Sequence, residues 1–180
     1  LFYAEIFYAY AKVNGGLLQQ ATALNMIGLI YSMKGQQLKS LEFLMNSLKI
    51  SQSISFIDGV TNCYTGIGHV YYSLGQYDKA LDYYNLMYKT CIESSLENEL
   101  RERKLASYYN NAGTVYEEKK EYVKARKNYE KCLNISIKLG WKRSIGGSYI
   151  NLGQILIHEK EFNKAIVNFK KSIEYFKDLT

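Results

Sequence analysis

Proline is absent from all 180 residues of this chain. A proline ring locks φ and removes a backbone donor, so a chain without one has few forced breaks and suits helices joined by short turns. Cysteine is scarce: Cys63, Cys91 and Cys132 are odd in number, far apart and in no Cys-x-x-Cys or Cys/His ligand spacing. That pattern excludes a disulfide framework and a sequence-legible metal site. Free buried thiols behave as small apolar groups and fit a reducing compartment, so a cytoplasmic location is expected. No apolar run approaches the roughly 20 residues of a membrane-spanning helix, and no membrane insertion is expected within the chain. The sequence opens Leu1-Phe2-Tyr3 with no basic segment ahead of an apolar one. No signal peptide is read there, and the chain is expected to be a fragment of a longer one.

Catalytic constellations are missing too. The only two histidines, His69 and His158, have no carboxylate or cysteine at metal spacing on their own helices. Gly66-Ile67-Gly68 falls within a helical pattern, not at a strand-to-helix turn, and is no phosphate loop. Glu117 with Glu118, and Glu159 with Glu161, read as solvated charges beside lysines. Asn134-Ile135-Ser136 matches a glycosylation sequon but sits inside a helical pattern and reads as chance. With no nucleophile–base–oxyanion set, neither catalytic residues nor a metal, a cofactor or a small-molecule substrate is expected.

What the chain does contain is repetition. Its composition is ordinarily globular, 47% hydrophobic and 22% charged, with an unusual 18 tyrosines. Gly28, Gly68, Gly113 and Gly153 recur 40, 45 and 40 residues apart. Three residues after each stands Tyr31, Tyr71, Tyr116 or Leu156. Twelve after stands a small residue, Ser40, Ala80, Ala125 or Ala165, and four further a large one, Leu44, Tyr84, Tyr129 or Phe169. Apolar residues keep helical spacing in each copy, as in Leu152, Ile155 and Leu156, then Phe162, Ile166 and Phe169. The small positions mark close crossings of two helices. One helix pair cannot bury its apolar face alone, so neighbouring pairs must stack.

Tyr64 to Tyr71 followed by Tyr77 to Tyr84, and Tyr109 to Tyr116 followed by Tyr122 to Tyr129, resemble the tetratricopeptide repeat. The first copy departs most, with Leu24 at the aromatic position and Ser40 for alanine. The closing proline of that family is missing, and the spacing resembles its longer, roughly forty-residue variant. The resemblance implies an all-α, right-handed superhelix of four antiparallel helix pairs plus a partial N-terminal helix. The expected organisation is one array over 1–180, with a partial helix at 1–15 and repeats at 16–55, 56–96, 97–140 and 141–180. First helices are expected near 17–33, 57–73, 99–118 and 142–158, and second helices near 37–53, 77–95, 122–138 and 162–177. Turns are expected around Gly35, Gly75, Lys120 and Lys160.

The resemblance also implies what such a chain does: it holds a protein or peptide along its first helices. Mapped from the family, the contact positions are Asn111 and Asn151, two before their glycines, with Gln154 and His69 one after and Tyr72 four after. Asparagine donates and accepts at once, which suits an extended backbone; the alternative is that these side chains only satisfy neighbouring groups. Where the family's chaperone-tail receptors carry lysine, this chain has Asn25, Thr65, Asn110 and Ile150. A chaperone-tail receptor is therefore not expected, although Asn25 stays on the candidate binding face. The implied role is the sensory or recruitment part of a regulatory protein of the kind found in bacterial signalling. The rivals are a structural scaffold that self-associates end to end, and the regulatory arm of an enzyme whose catalytic domain lies elsewhere.

Charge adds a second surface. Residues 119–143 hold nine basic and two acidic side chains of a chain whose net charge is +6. Lys120, Lys124, Lys127 and Lys131 recur at helical spacing and form one stripe. Such a stripe is either a solvated outer face or a docking surface for an acidic partner. Nucleic acid is not expected, because no stacking platform or groove-reading helix accompanies the lysines.

Overall fold

A computed structural model describes residues 1–177. Among them are nine helices and no strand: α1 Phe2–Asn14, α2 Leu17–Met33, α3 Gln37–Ser53, α4 Ile57–Ser73, α5 Tyr77–Glu93, α6 Asn98–Glu118, α7 Tyr122–Lys138, α8 Lys142–His158 and α9 Phe162–Lys177. The chain forms two compact units, Leu1–Leu96 and Glu97–Thr180. Unit 1 holds α1 and the pairs α2/α3 and α4/α5. Unit 2 holds the pairs α6/α7 and α8/α9.

None of α1 to α8 carries a side-chain N-cap, and the turns are closed by backbone instead. After α2, Gln36 N–H reaches Tyr31 O at 2.9 Å and Gly35 N–H reaches Ser32 O at 2.9 Å, a Schellman closure. The same pair of bonds follows α4, α6 and α8, and recurs after α3 and α7. Each closure needs one left-handed residue. Gly35, Gly75 and Gly140 supply it without strain, whereas Ser55, Lys120 and Lys160 adopt φ of 54°, 60° and 62° with a side chain attached.

The repeat glycines are buried where the two helices of a pair cross. A Cβ built on Gly68 would lie 2.4 Å from Tyr84 Cε1, and one on Gly113 would lie 2.6 Å from Tyr129 Cε1. Leu44 fills the same space at Gly28, and Phe169 at Gly153. The large residue four beyond the small one thus occupies the volume that the missing Cβ vacates. Ser40 replaces alanine in the first pair because its hydroxyl donates to Gly28 O at 2.7 Å. Around these crossings lie the cores: Leu44, Ile67 and Val70 in unit 1, and Ala125, Tyr129 and Ile155 in unit 2.

The 45-residue spacing has a local cause. α6 runs 21 residues where α2, α4 and α8 run 17. The linker before it, 94–97, is also one residue longer than the 54–56 turn. α5 ends at Glu93, two residues before the expected limit. α1 buries Ala4 and Ala11 and leaves Phe2, Ile6 and Tyr10 exposed, as a second helix without its partner would. No helix among the described residues is long and apolar enough to cross a membrane.

Candidate binding faces on the first helices

In unit 1, α2 and α4 place their residues at fixed offsets from Gly28 and Gly68. Asn25, three before Gly28, points toward α4 and donates from Nδ2 to the Cys63 sulfur at 3.5 Å. The Cys63 thiol in turn donates to Ser47 Oγ at 3.2 Å, and Ser47 donates to Ala21 O at 2.7 Å. Burial pushes the Cys63 thiol up, with Ser47 and Asn25 partly offsetting it. His69 is exposed, its ring edge-on to buried Tyr84 at 5.8 Å. Tyr72 packs against Tyr77 at 5.8 Å between ring centres.

In unit 2, three asparagines form a chain across two first helices. Asn151 Nδ2 on α8 donates to Asn110 Oδ1 on α6 at 3.0 Å, and Asn110 Nδ2 reaches Asn111 Oδ1 at 3.5 Å. All three are partly exposed, and Gln154 is exposed beside them, one turn on from Asn151. The chain uses one donor of Asn151 and the oxygen of Asn111. The Asn111 amide nitrogen and the Asn151 oxygen take no part in it. Asn110 was not among the expected binding residues. Its signal was present, because Asn25 and Asn110 both stand three before a repeat glycine and both reach toward the next first helix.

Residues 19–93 and 104–178 match the sequence pattern of the tetratricopeptide repeat. The chain belongs to the tetratricopeptide-repeat family. No curated protein matches it in sequence. Among solved structures it is similar to BtubC (BKLC) from P. vanneervenii, with a TM-score of 0.76 and 21% identity over 91% of this chain and 66% of that one. It is similar to the apo form of RapI with a TM-score of 0.78 and 19% identity, over 96% of this chain and 46% of that one. For MamA the TM-score is 0.63 and the identity 20%, over 97% of this chain and 87% of that one. At these identities the likeness is one of fold. The chain spans about two-thirds of the BtubC chain and under half of the RapI chain.

Within this tetratricopeptide-repeat chain the lysine stripe is not uniform. All four lysines are exposed, but Lys124 lies over the Tyr116 ring at 5.3 Å and Lys131 over Tyr109 at 4.9 Å. Lys79 over Tyr71 and Lys39 over Tyr31 repeat the Lys124 contact one and two copies earlier. A lysine eleven after the repeat glycine thus covers the tyrosine three after it, a packing device of the helix pair. Lys124 also pairs with Glu121, which raises its own pKa and lowers that of the carboxylate.

Two carboxylates expected to be solvated are not. Glu117 accepts a 2.7 Å hydrogen bond from Tyr129 and has His158 Nε2 at 3.9 Å, while His158 stacks on Tyr122. Glu159 pairs with Arg126. The partners of Glu117 and Glu159 lie on other helices, which is why spacing along one helix did not reveal them, whereas Glu161 pairs with Lys164 three residues on, as a charge beside a lysine. No group of His, Cys, Asp or Glu among the described residues is arranged to hold a metal ion.

Proposed function

We propose that the chain is a non-catalytic module that grips an extended segment of a protein partner on its first helices. The observation that carries this is the amide chain Asn111–Asn110–Asn151. It ties two asparagines on adjacent first helices, at the same motif position, into one network in which the Asn111 nitrogen and the Asn151 oxygen take no part. An extended backbone presents that same alternation of acceptor and donor and has no partner strand of its own. Internal hydrogen bonding holds the amides in place before the ligand arrives, which lowers the ordering cost of binding. Gln154 extends the polar face along α8, while Asn25, His69 and Tyr72 form a separate face on unit 1. A sensory or recruitment role in a regulatory protein of the cytoplasm fits a module with three buried free thiols and no catalytic set.

A second reading concerns the basic surface. Unit 1 holds six basic and six acidic residues, and unit 2 seventeen and eleven, so all of the excess positive charge lies in unit 2. An acidic partner docking on Lys120 and Lys127 fits that imbalance.

The test is to select binding peptides from a random display library on the whole chain, then measure affinity for Asn111→Ala, Asn151→Ala and a variant with all four stripe lysines changed to Gln. Loss of one such hydrogen bond weakens binding by about 0.5–1.5 kcal/mol, so each Asn variant should lose roughly two- to tenfold. The stripe variant should bind as the parent does. Loss confined to the stripe variant would replace the first reading with the second.

A further inference from the structure

Gly59 on α4 and Ser144 on α8 both lie nine residues before their repeat glycines, and their surroundings correspond. In unit 2 the Ser144 hydroxyl shares a 2.7 Å hydrogen bond with Ser136, whose own hydroxyl donates to Cys132 O at 2.7 Å. Ser148 closes the cluster by donating to the Cys132 sulfur at 3.4 Å. In unit 1 the matching residues are Ser51 for Ser136, Ser47 for Cys132 and Cys63 for Ser148. With glycine in place of Ser144, Ser51 loses its partner. Its Oγ is fully buried and makes no hydrogen bond, although it lies near enough to the Cys63 thiol to favour the thiolate. Buried hydroxyls are nearly always partnered, so this one sets the unit 1 site apart from its unit 2 counterpart.

Beside it opens a cavity of about 110 Å³, room for several water-sized groups, lined among others by Asn25, Met26, Ser51, Phe56, Asp58 and Asn62. We propose that this cavity is a recognition pocket for a primary ammonium group on an aliphatic stem, the end of a lysine side chain of the protein partner. The proposal rests on the protein-binding reading above. Three features select that chemistry. No basic side chain lines the cavity, whereas Asp58 on its lining carries a carboxylate. Asn62 donates to Asp58 Oδ2 at 3.3 Å, which orients that carboxylate. Phe56 and Met26, also on the lining, supply apolar surface for methylenes. The corresponding place in unit 2 is built against a cation. Arg143 stands where Asp58 does, Ser144 supplies the missing hydroxyl, and Arg103 lies over Trp141, the counterpart of Phe56, at 5.5 Å.

The experiment uses the whole chain, labelled with nitrogen-15 and titrated with n-butylammonium chloride. Sodium chloride at matched ionic strength and n-butanol serve as controls. Saturable amide shifts confined to the residues around Ser51, Asp58 and Gly59 are expected with the amine and not with the salt or the alcohol. Asp58→Asn keeps the shape and removes the charge, and a hydrogen-bonded charge is worth enough for a roughly tenfold or greater weakening. Ser51→Ala should weaken the amine less, and thermal unfolding of each variant confirms that it folds. Diffuse or unsaturable shifts, equal shifts with butanol, or unchanged amine affinity in Asp58→Asn would overturn the pocket. Because the amine is tested without a peptide, the pocket stands if Asn111 and Asn151 prove irrelevant to partner binding, and falls without touching that reading.

Discussion

At Gly113 a single missing carbon decides how two helices meet. The Tyr129 ring occupies the place where a Cβ would be, and its hydroxyl reaches Glu117 on the neighbouring helix. Both the packing and the partly buried hydrogen bond depend on that approach. Changing Gly113 to Leu should therefore destabilise unit 2 by about 1–3 kcal/mol through overpacking, read as a lowered urea midpoint. An unchanged midpoint would mean that the ring is free to move aside. The glycine register and its large partner were legible in the sequence, because both sit at fixed offsets in all four copies. The Glu117 contact was not, since it joins residues on different helices whose spacing has no period.

Turns show the same division at the scale of the element. Sequence placed them at Gly35, Gly75, Lys120 and Lys160, but only backbone geometry shows that the two lysines adopt the left-handed conformation that the glycines adopt freely. A side chain there costs about 1–2 kcal/mol. Glycine brings a larger entropy loss on folding of roughly 0.5–1 kcal/mol. Lys160→Gly should then stabilise the chain by about 0.5–1 kcal/mol net, measured as a raised midpoint, and Gly75→Lys should do the reverse. Just beyond these turns, Glu121 and Glu161 are held below the ordinary carboxylate value of 4.5 by hydrogen bonds from Lys124 and Lys164. A lowered folded value means that their contribution is complete above pH 4.5 and fades as the pH falls through the folded values. Comparing the parent with a Glu121→Gln, Glu161→Gln variant, the difference in thermal midpoint should be present at pH 7 and shrink below pH 4. A difference that persists at low pH would assign it to packing. Added salt should reduce it as well, because both carboxylates are fully exposed.

For the molecule as a whole, stacked repeats leave an apolar face wherever stacking stops. In unit 1, α1 exposes Phe2, Ile6 and Val13; in unit 2, α9 exposes Ile166 and Ile173. Sedimentation should therefore show mass increasing with concentration, and charged substitutions at Ile6 and Ile173 should abolish the increase. A monomer at every concentration would remove end-to-end association from the possible roles. The same scale separates the two binding ideas, because the asparagine face belongs to unit 2 and the acceptor-lined cavity to unit 1.

The sequence by itself determined the helical architecture, the register of the four pairs and nearly every helix boundary. These follow from short-range rules repeated four times: the 3.6-residue apolar period, a glycine opposite a large residue, and a punctuated turn. It also marked Asn111 and Asn151, since motif position is a property of the repeat. Tertiary structure alone decided that both are bonded to Asn110, and which lysines lie over tyrosines. It alone showed that Gly59, set against Ser144, leaves a buried hydroxyl without a partner beside an open cavity. The asparagine contact joins helices whose bonded residues are 41 apart, the others join neighbouring helices, and in each case the apolar period along the chain does not encode the distance between atoms.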